Sequence, residues 1–419
     1  MEAYNLIRKG KGPEERDYPW PSGSGSSSSR CGGYSAVLSG ARAVLDCTRG
    51  ITLNMSRSLS MPEHNIPMEK VGHVKGKDVN GNLVTLERTH PRQLALFQTF
   101  VSDEDRYSNT IELYDAVPKY FSNPKLMASL RKDEKFLLAL KREFEHKGER
   151  YTLYIRPARI IYKNGDQKEY YPSPREELVE EALRKIACDR LKGVYLDDGA
   201  GVQFTLYELK KELRERGHDI NSVDLVESLK ICNLTNISIQ TADGKVLIQS
   251  PIFPTLLIAS REDWLAEPKQ AKCYVQFNPL VTACINRITY RQFDYILYMT
   301  YKHRLSRWLY KRLAHNYLQA GVLTPYTIKL STILRDSGTH QSERGKDNRK
   351  KVEEALEELQ EKRVLIRYET EILRGKRAKV LDAKYVLYPD MDFITEVKKS
   401  NSRALKLDEI QSKWVPLPE

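Results

Sequence analysis

The order of helix and turn signals over residues 173–250 restricts the fold of this chain more than any other feature of its sequence. Ser173 and Thr205 each begin a Ser/Thr-x-x-Glu capping box, and Gly217 follows the second apolar stripe as a helix stop. Ser222 then opens a third helix, and alternating apolar residues on both sides of an Asp-Gly pair predict a β-hairpin. A helix, a helix-turn-helix and a hairpin in this order are the layout of a winged helix.

The same order returns in the second half of the chain. An apolar stripe predicts a long helix over 290–317, followed by a short helix over 331–337 and a third helix over 348–362. Two strands then follow, over 364–373 and 379–388, on either side of a basic turn. The sequence therefore predicts an α+β fold in which two tandem winged-helix domains follow a flexible N-terminal region.

The length and composition of the chain indicate how it divides into domains and tails. The chain has 419 residues, a length typical of two or three domains. Residues 21–33 are almost entirely Pro, Gly and Ser, as in flexible linkers and tails. We divide the chain into a disordered Gly/Ser-rich N-terminal tail (1–70), an N-terminal extension (71–170), a first winged helix (171–275), a second winged helix (276–395) and a C-terminal tail (396–419).

The charge balance indicates a polyanionic partner, because 68 Lys and Arg against 56 Asp and Glu give a net charge of +12. In the second unit we expect residues 342–351, at the start of the third helix, to lie in the major groove of duplex DNA. Arg344, Asn348 and Arg349 are the candidates for base edges, since Arg suits guanine and Asn suits adenine. The other candidate DNA-binding residues of this unit are cations, most of which are expected to hold phosphates: Lys346, Lys350, Lys351, Arg374, Lys376, Arg377 and Lys379.

The first unit has a less basic third helix. Its candidate DNA-binding residues are Asn221, Ser222 and Lys230, with Lys230 as the one cation of that helix. We expect this unit to bind DNA more weakly than the second, or to serve partly as a dimerisation surface. The predicted long helix of the second unit and the residues just before it supply further cations: Arg287, Arg291, Lys302, Arg304, Arg307, Lys311 and Arg312.

Two other interpretations of the basic helix stay open. Charge runs on helices are often solvated faces, and Lys350 and Lys351 lie at helical spacing from Glu353, Glu354 and Glu357. Winged helices also bind proteins. The two units, the basic hairpin tip and the net charge together favour DNA binding over both.

A second signal lies before both units, in the sequence Gln-Leu-Ala-Leu-Phe at residues 93–97. As a clamp-binding peptide, Leu94, Leu96 and Phe97 would supply apolar contacts, with Leu96 and Phe97 as the anchors in a partner's pocket, and Gln93 would hydrogen-bond at its rim. The alternative is a short half-buried strand in which Leu94 and Leu96 face inward. A single short motif does not decide between the two.

No motif of an enzyme or a metal site is present. The sequence lacks a phosphate-binding loop, a nucleophile elbow and a zinc-protease signature. The six cysteines include no Cys-x-x-Cys pair, and four of them lie in apolar surroundings and are expected to be reduced core residues. We therefore expect no catalytic residue, no metal and no cofactor. With no apolar run of membrane-spanning length and no signal-like N-terminus, we also expect a cytoplasmic protein that does not enter the membrane.

Four stretches resemble plasmid replication initiators of the TrfA type, which have tandem winged-helix domains. They are residues 93–97, residues 107–120, residues 204–209 at the entry to the first helix-turn-helix, and residues 277–280 with the helix that follows. Residues 93–97 are similar to the peptide by which bacterial replication proteins bind the sliding clamp. The resemblance covers roughly residues 90–400 and leaves out residues 1–70.

The resemblance implies binding of double-stranded DNA at repeated sites, called iterons, in a plasmid origin. Such initiators open the adjacent AT-rich duplex and recruit the host helicase and the sliding clamp without hydrolysing nucleotides. It also implies a homodimer as the inactive form. The main alternative is a winged-helix transcriptional regulator, which shares the DNA-binding features but has no use for the clamp-like peptide.

Overall fold

The computed structural model describes residues 73–77, 83–87, 106–121, 123–133, 136–162, 164–188, 192–196, 199–259, 266, 271–286, 290–376 and 380–413. The predicted N-terminal tail, residues 1–70, and the clamp-like peptide, residues 93–97, lie outside these ranges. Their predictions therefore stay predictions.

The described residues form helices and short antiparallel sheets. The strands are β1 (His73–Lys77), β2 (Leu83–Glu87), β3 (Tyr107–Ile111), β4 (Leu140–His146), β5 (Glu149–Arg156), β6 (Ala158–Ile161), β7 (Gln167–Tyr170), β8 (Gly193–Leu196), β9 (Gly199–Thr205), β10 (Asn236–Thr241), β11 (Val246–Pro251), β12 (Leu256–Leu257), β13 (Lys272–Gln276), β14 (Tyr290–Asp294), β15 (Tyr326–Lys329), β16 (Leu365–Arg374) and β17 (Val380–Pro389). The helices are α1 (Glu112–Ala116), α2 (Pro124–Asp133), α3 (Pro174–Cys188), α4 (Leu206–Glu215), α5 (Ser222–Leu234), α6 (Pro279–Asn286), α7 (Tyr295–Met299), α8 (Arg304–Asn316), α9 (Leu330–Ser337), α10 (Gly345–Glu361) and α11 (Met391–Lys413).

The helix caps and the helix stop predicted for the first unit are present in the structure. Both the backbone N–H and the hydroxyl of Ser173 donate to the Glu176 carboxylate at the start of α3. Thr205 forms a complete capping box at the start of α4. Gly217 follows α4 with a φ of +85°, a conformation that glycine adopts without strain. Asn221 caps α5 by accepting a hydrogen bond from the Asp224 N–H.

The second unit has the element order helix, strand, helix, helix, strand, strand, formed by α8, β15, α9, α10, β16 and β17. Its three strands form one antiparallel sheet in the order β15-β17-β16. Helix α10 packs on the core of this unit through Val352, Leu356 and Leu359, each fully buried. Apolar residues at this spacing lie on one face of a helix, which leaves the opposite face for solvent or a partner.

The first unit repeats this order with α3, β9, α4, α5, β12 and β13. Its sheet has the order β12-β13-β9-β8, so β13 lies between its neighbours as β17 does in the second unit. The two units therefore share these six elements and the inner position of the last strand, whereas the first unit also has β8, β10 and β11, which have no counterpart in the second.

The hairpin predicted as the wing of the first unit lies elsewhere. Strands β10 and β11 form the hairpin, but β10 pairs with β5 in a separate sheet of order β11-β10-β5-β4. Its buried Ile237 and Ile239 stand opposite the buried Ile155 and Leu153, so the apolar faces of the two strands match. The strands that complete the repeat are β12 and β13, which the sequence analysis did not identify.

The predicted long helix over 290–317 is also wrong. The segment forms strand β14 and then two helices, α7 and α8. Strand β14 pairs with β3, and the Asp294 carboxylate caps α7 by accepting from the Leu297 N–H. In the gap before α8, the Glu358 carboxylate accepts from the backbone N–H groups of Lys302 and His303. These distant partners stabilise the break, so the apolar periodicity of the segment did not reveal it.

One continuous hydrophobic core runs through both units, from Ile111 to Val397. The chain then continues in α11, which includes most of the residues predicted as a C-terminal tail. In the described part of the chain no helix is both long and apolar enough to cross a membrane.

Candidate nucleic-acid interface

Helix α10 divides its charges between its two ends. The first turns carry Lys346, Arg349, Lys350 and Lys351, with Asp347 as the one acid among them. The second half carries Glu353, Glu354, Glu357, Glu358 and Glu361. A phosphate backbone is attracted to the first half and repelled by the second, so this charge pattern favours insertion of the N-terminal half.

The N-terminus of α10 is open. Arg344 is the N-cap residue, and its side chain makes no capping hydrogen bond. Arg344, Gly345 and Lys346 are all exposed. The free first-turn N–H groups of a helix and its dipole both favour an anion at this end.

Two of the predicted DNA-binding residues support the loop before α10. Asn348 is buried, and its amide donates to the Ser342 carbonyl over 2.9 Å and accepts from the Ser342 N–H over 2.7 Å. The Lys351 ammonium donates to the His340 carbonyl over 3.2 Å. In this arrangement Asn348 is not presented to solvent, whereas Arg344 is exposed and Arg349 is partly exposed.

Lys350 takes part in the intrahelical pairing that the alternative interpretation suggested. Its ammonium lies 3.8 Å from the Glu354 carboxylate, and the two side chains are 74% and 42% exposed. Exposed pairs of this kind contribute little to stability, so this contact does not prevent Lys350 from moving to a phosphate.

The hairpin of β16 and β17 carries further cations at its tip. Arg374 and Lys376 are exposed there. Arg377 and Lys379 lie outside the described residues. The tip therefore offers at least two solvent-facing cations near the end of a ten-residue strand.

The third helix of the first unit, α5, is a poorer surface for an anion. Lys230 is exposed and Ser222 is half-buried, while the Asn221 side chain serves as the helix cap. The carboxylates of Asp224 and Glu227 pair with Arg175 at 3.6 and 3.0 Å.

One side of α5 is covered by the hairpin of β6 and β7. Ile160 packs against the buried Ile231, and the Tyr162 hydroxyl donates to the Glu227 carboxylate. The solvent face that remains includes exposed Val223 and Leu234. The difference in charge that the sequence predicted between the two units is thus visible at their surfaces.

Several cations attributed to the predicted long helix are buried instead. Arg307 and Lys311 are buried and Arg304 is half-buried, and all three face acidic residues. Arg312 pairs with Asp336 and Arg291 contacts Asn401, while Lys302 is exposed and Arg287 lies outside the described residues. Sequence reasoning missed this network because charged residues at helical spacing are usually on a surface.

The acidic partners of these cations lie on α3 and α1. Burial alone would raise the pKa of Asp115, but Arg184 and Lys311 hold it well below its ordinary value. The Arg184 guanidinium donates to both Asp115 oxygens, over 2.7 and 3.0 Å. Burial raises the pKa of Glu181 despite the neighbouring Lys311. The network is a buried set of ion pairs.

Metal-ligating residues are not grouped in the part of the chain that the structure describes, where no three His, Cys, Asp or Glu side chains could hold an ion together. Cys188, Cys232, Cys273 and Cys284 are buried free thiols.

Three solved structures are similar to this chain. Domains 2 and 3 of RctB, as a selenomethionine derivative, match with a TM-score of 0.41 and 11% identity, covering 67% of this chain and 97% of that chain. A second structure of RctB domains 2 and 3 matches with a TM-score of 0.39 and 10% identity, covering 68% and 99%. The Pi initiator protein in complex with iteron DNA matches with a TM-score of 0.35 and 10% identity, covering 52% and 90%. No protein family and no curated protein sequence matches the chain.

Proposed function

We propose that this protein binds duplex DNA in a sequence-specific manner through two tandem winged-helix domains. In each unit, a helix and a strand precede two helices, and two strands close a sheet in which the last strand is central. This order supports a winged-helix assignment for each unit, and on that assignment the third helix would enter the major groove. The second unit, with α10 as its third helix, is the main DNA reader.

The observation that carries the proposal is the charge division of α10. Its cations lie in the exposed half that precedes the buried residues Val352 and Leu356, and its acids follow. The helix dipole favours acids at the N-terminus and cations at the C-terminus, so α10 places its cations and its four acids that are not buried against its own dipole. The basic hairpin tip supplies a second anion-binding element in the same unit.

We assign Arg344 and Arg349 to base edges, because Arg pairs in a bidentate manner with guanine. Lys346, Lys350 and Lys351 would hold phosphates and set the register, together with the cations at the hairpin tip. Asn348 would act indirectly, by fixing the loop through Ser342. The first unit would contact the neighbouring half of the same site through the N-terminus of α5 and Lys230.

We further propose that the protein is a plasmid replication initiator that acts without enzymatic chemistry in the bacterial cytoplasm. The support is its sequence resemblance to TrfA-type initiators. On this account it binds iterons, promotes opening of an adjacent AT-rich duplex and recruits the host helicase. Residues 93–97 would recruit the sliding clamp, and a homodimer would be the inactive form.

A direct test of DNA binding is a titration of labelled duplex with the full-length protein and its Lys346→Gln/Lys350→Gln variant. The variant should bind all duplexes more weakly, whereas a variant with two distant neutral substitutions, Lys398→Gln/Lys399→Gln, should bind as the wild type does. Equal affinity for wild type and the α10 variant would refute the assignment of α10.

Initiation is separated from transcriptional regulation by permanganate footprinting on a supercoiled plasmid that carries the bound repeats beside an AT-rich tract. An initiator makes thymines in that tract reactive, and a plasmid with scrambled repeats does not respond. A regulator that only occupies its site leaves the tract unreactive, and that result would remove the initiation proposal while leaving DNA binding intact.

A further inference from the structure

Helix α3 of the first unit has an unusual position, because every residue from Glu176 to Cys188 is buried, including four carboxylates. Two of these, Glu177 and Glu181, are four residues apart and therefore lie on one face of the helix. They face α8 of the second unit, where Arg307 and Lys311 are also four residues apart.

The four side chains form two matched ion pairs between the units. The Arg307 guanidinium lies 3.1 Å from the Glu177 carboxylate, and the Lys311 ammonium lies 2.5 Å from the Glu181 carboxylate. Each of the four side chains is at most 10% exposed. We call these four residues the interunit ladder.

Net stability is a poor explanation for such a ladder. Buried ion pairs lose hydration that their attraction only roughly repays, and apolar residues of similar size often do as well. What two parallel pairs provide is a specific geometry, because sliding or rotating α8 along α3 would break both pairs at once and leave buried charges without partners.

A second contact joins the helix-turn-helix of the second unit to β4 of the N-terminal extension, whose sheet also contains β10 and β11. The Asp336 carboxylate, near the end of α9, accepts from the backbone N–H of Glu145 on β4 and from Arg312 on α8, each over 3.1 Å. The helix that precedes α10 is therefore held by α8 of its own unit and by β4 of the N-terminal extension. The placement of α10 relative to the first unit is fixed by these contacts rather than by a flexible linker.

We propose that the interunit ladder makes the spacing between the two halves of the DNA site a determinant of specificity. With the two units held in one relative placement, only one separation of the two half-sites brings both third helices to their grooves. The ladder residues contact no base or phosphate on this account; they are positioning residues. This inference rests on the proposed function, in which both units contact one DNA site.

The test uses the full-length Glu181→Gln/Lys311→Met variant. Both partners of one pair are neutralised together, so the net charge of the buried network is kept. Asp115 loses its contact with Lys311 (3.5 Å) and Arg184 loses its contact with Glu181 (3.2 Å), but these two residues keep their two mutual hydrogen bonds. A control, Arg363→Gln, removes an exposed ion pair of 3.2 Å with Asp392 within the second unit. The probes are the duplex that the wild type enriches from a random library and the same duplex with central insertions of up to about half a helical turn.

The wild type and the control should lose affinity steeply with each insertion. In the ladder variant, the ratio of affinities for the parent and the inserted duplex should fall by about tenfold, while the base preference within each half stays the same. A general loss of folding would lower the affinity for all probes equally, so the ratio of affinities for the parent and the inserted duplex would stay as in the wild type. If melting shows the variant to be unfolded, Glu177→Gln/Arg307→Met is compared in the same way.

An unchanged spacing preference in a folded ladder variant would overturn the inference and leave the proposed function standing. Lys311→Arg, which keeps the pair, should retain the wild-type preference. If the wild type itself enriches no two-part site, the proposed two-unit reading fails before any ladder variant is made. The two failures are therefore distinguishable.

Discussion

The dependence of DNA affinity on salt follows from the cations that the second unit exposes. Of the described candidates, Lys346, Lys350, Lys351, Arg374 and Lys376 are left for phosphates once Arg344 and Arg349 are assigned to bases. Five phosphate contacts give a slope of about −4.5 for log affinity against log salt, or about a 500-fold loss between 50 and 200 mM. Fluorescence anisotropy of a labelled duplex across that range measures the slope directly.

Replacing one of these cations tests the assignment. Lys350→Gln should reduce the slope to about −3.6, so that the loss over the same range becomes about 150-fold. The matched control is Lys399→Gln, because Lys399 is 51% exposed and pairs with Glu396 on its own helix, as Lys350 pairs with Glu354. Helix α11 begins after β17, at the end of the hairpin opposite its tip, so the control should keep the full slope. A wild-type slope near zero, or equal changes in both variants, would refute the reasoning.

Four further predictions concern single sites. Arg349→Ala should lose about 1–3 kcal/mol of binding and relax preference at one base position, which selection with the variant would show; a uniform loss on all sequences would make it a phosphate contact. Leu96→Ala/Phe97→Ala should abolish sliding-clamp binding in a pull-down and leave duplex affinity unchanged, whereas loss of both with a lower melting temperature would favour a core strand. Gly338→Ala should destabilise the fold by more than about 1 kcal/mol in urea titration, since its φ is +64° and a Cβ would lie 2.6 Å from the Arg142 guanidinium; an unchanged midpoint contradicts this. Burial lowers the pKa of His315 from 6.5 to about 3, so the unfolded chain binds a proton that the folded protein does not. The free energy of unfolding should therefore decrease as the pH drops from 6.5 toward 3, and urea titrations should show a smaller decrease for His315→Gln than for the wild type.

The local signals of this chain were sufficient to predict five of its eleven described helices, namely α3, α4, α5, α9 and α10. The capping box at Thr205, the stop at Gly217 and the left-handed Gly338 after α9 all depend on residues close in sequence, and the structure contains each of them. The helical part of the repeat could be predicted for the same reason, because its signals recur in the same order, but β12 and β13 of the first unit could not.

Strand partners were harder to predict because they depend on distant residues. The hairpin of β10 and β11 formed where the Asp-Gly turn placed it, but its partner β5 lies some 80 residues earlier in the chain. No local feature of Ile237 or Ile239 identifies that partner. The break before α8 likewise depends on Glu358, which is more than 50 residues away.

The exposure of the candidate cations could be predicted in part, but the contacts that support the candidate site could not. Lys350 and Arg344 are exposed as a solvent-facing surface requires, whereas Asn348 turned out to hold the Ser342 loop. Charge alone could not separate surface cations such as Lys350 from buried ones such as Arg307, because the burial of Arg307 depends on α3 from the other unit.

The most direct test of the account is a selection from a random duplex library with the purified full-length protein, followed by sequencing of the bound DNA. Sequence-specific reading by two linked units predicts enrichment of an extended motif of about 20 base pairs, with two halves at one fixed spacing. Direct repeats of that motif beside an AT-rich tract in a plasmid origin would agree with the initiation proposal. Failure to enrich any motif would contradict the central claim that α10 reads DNA sequence.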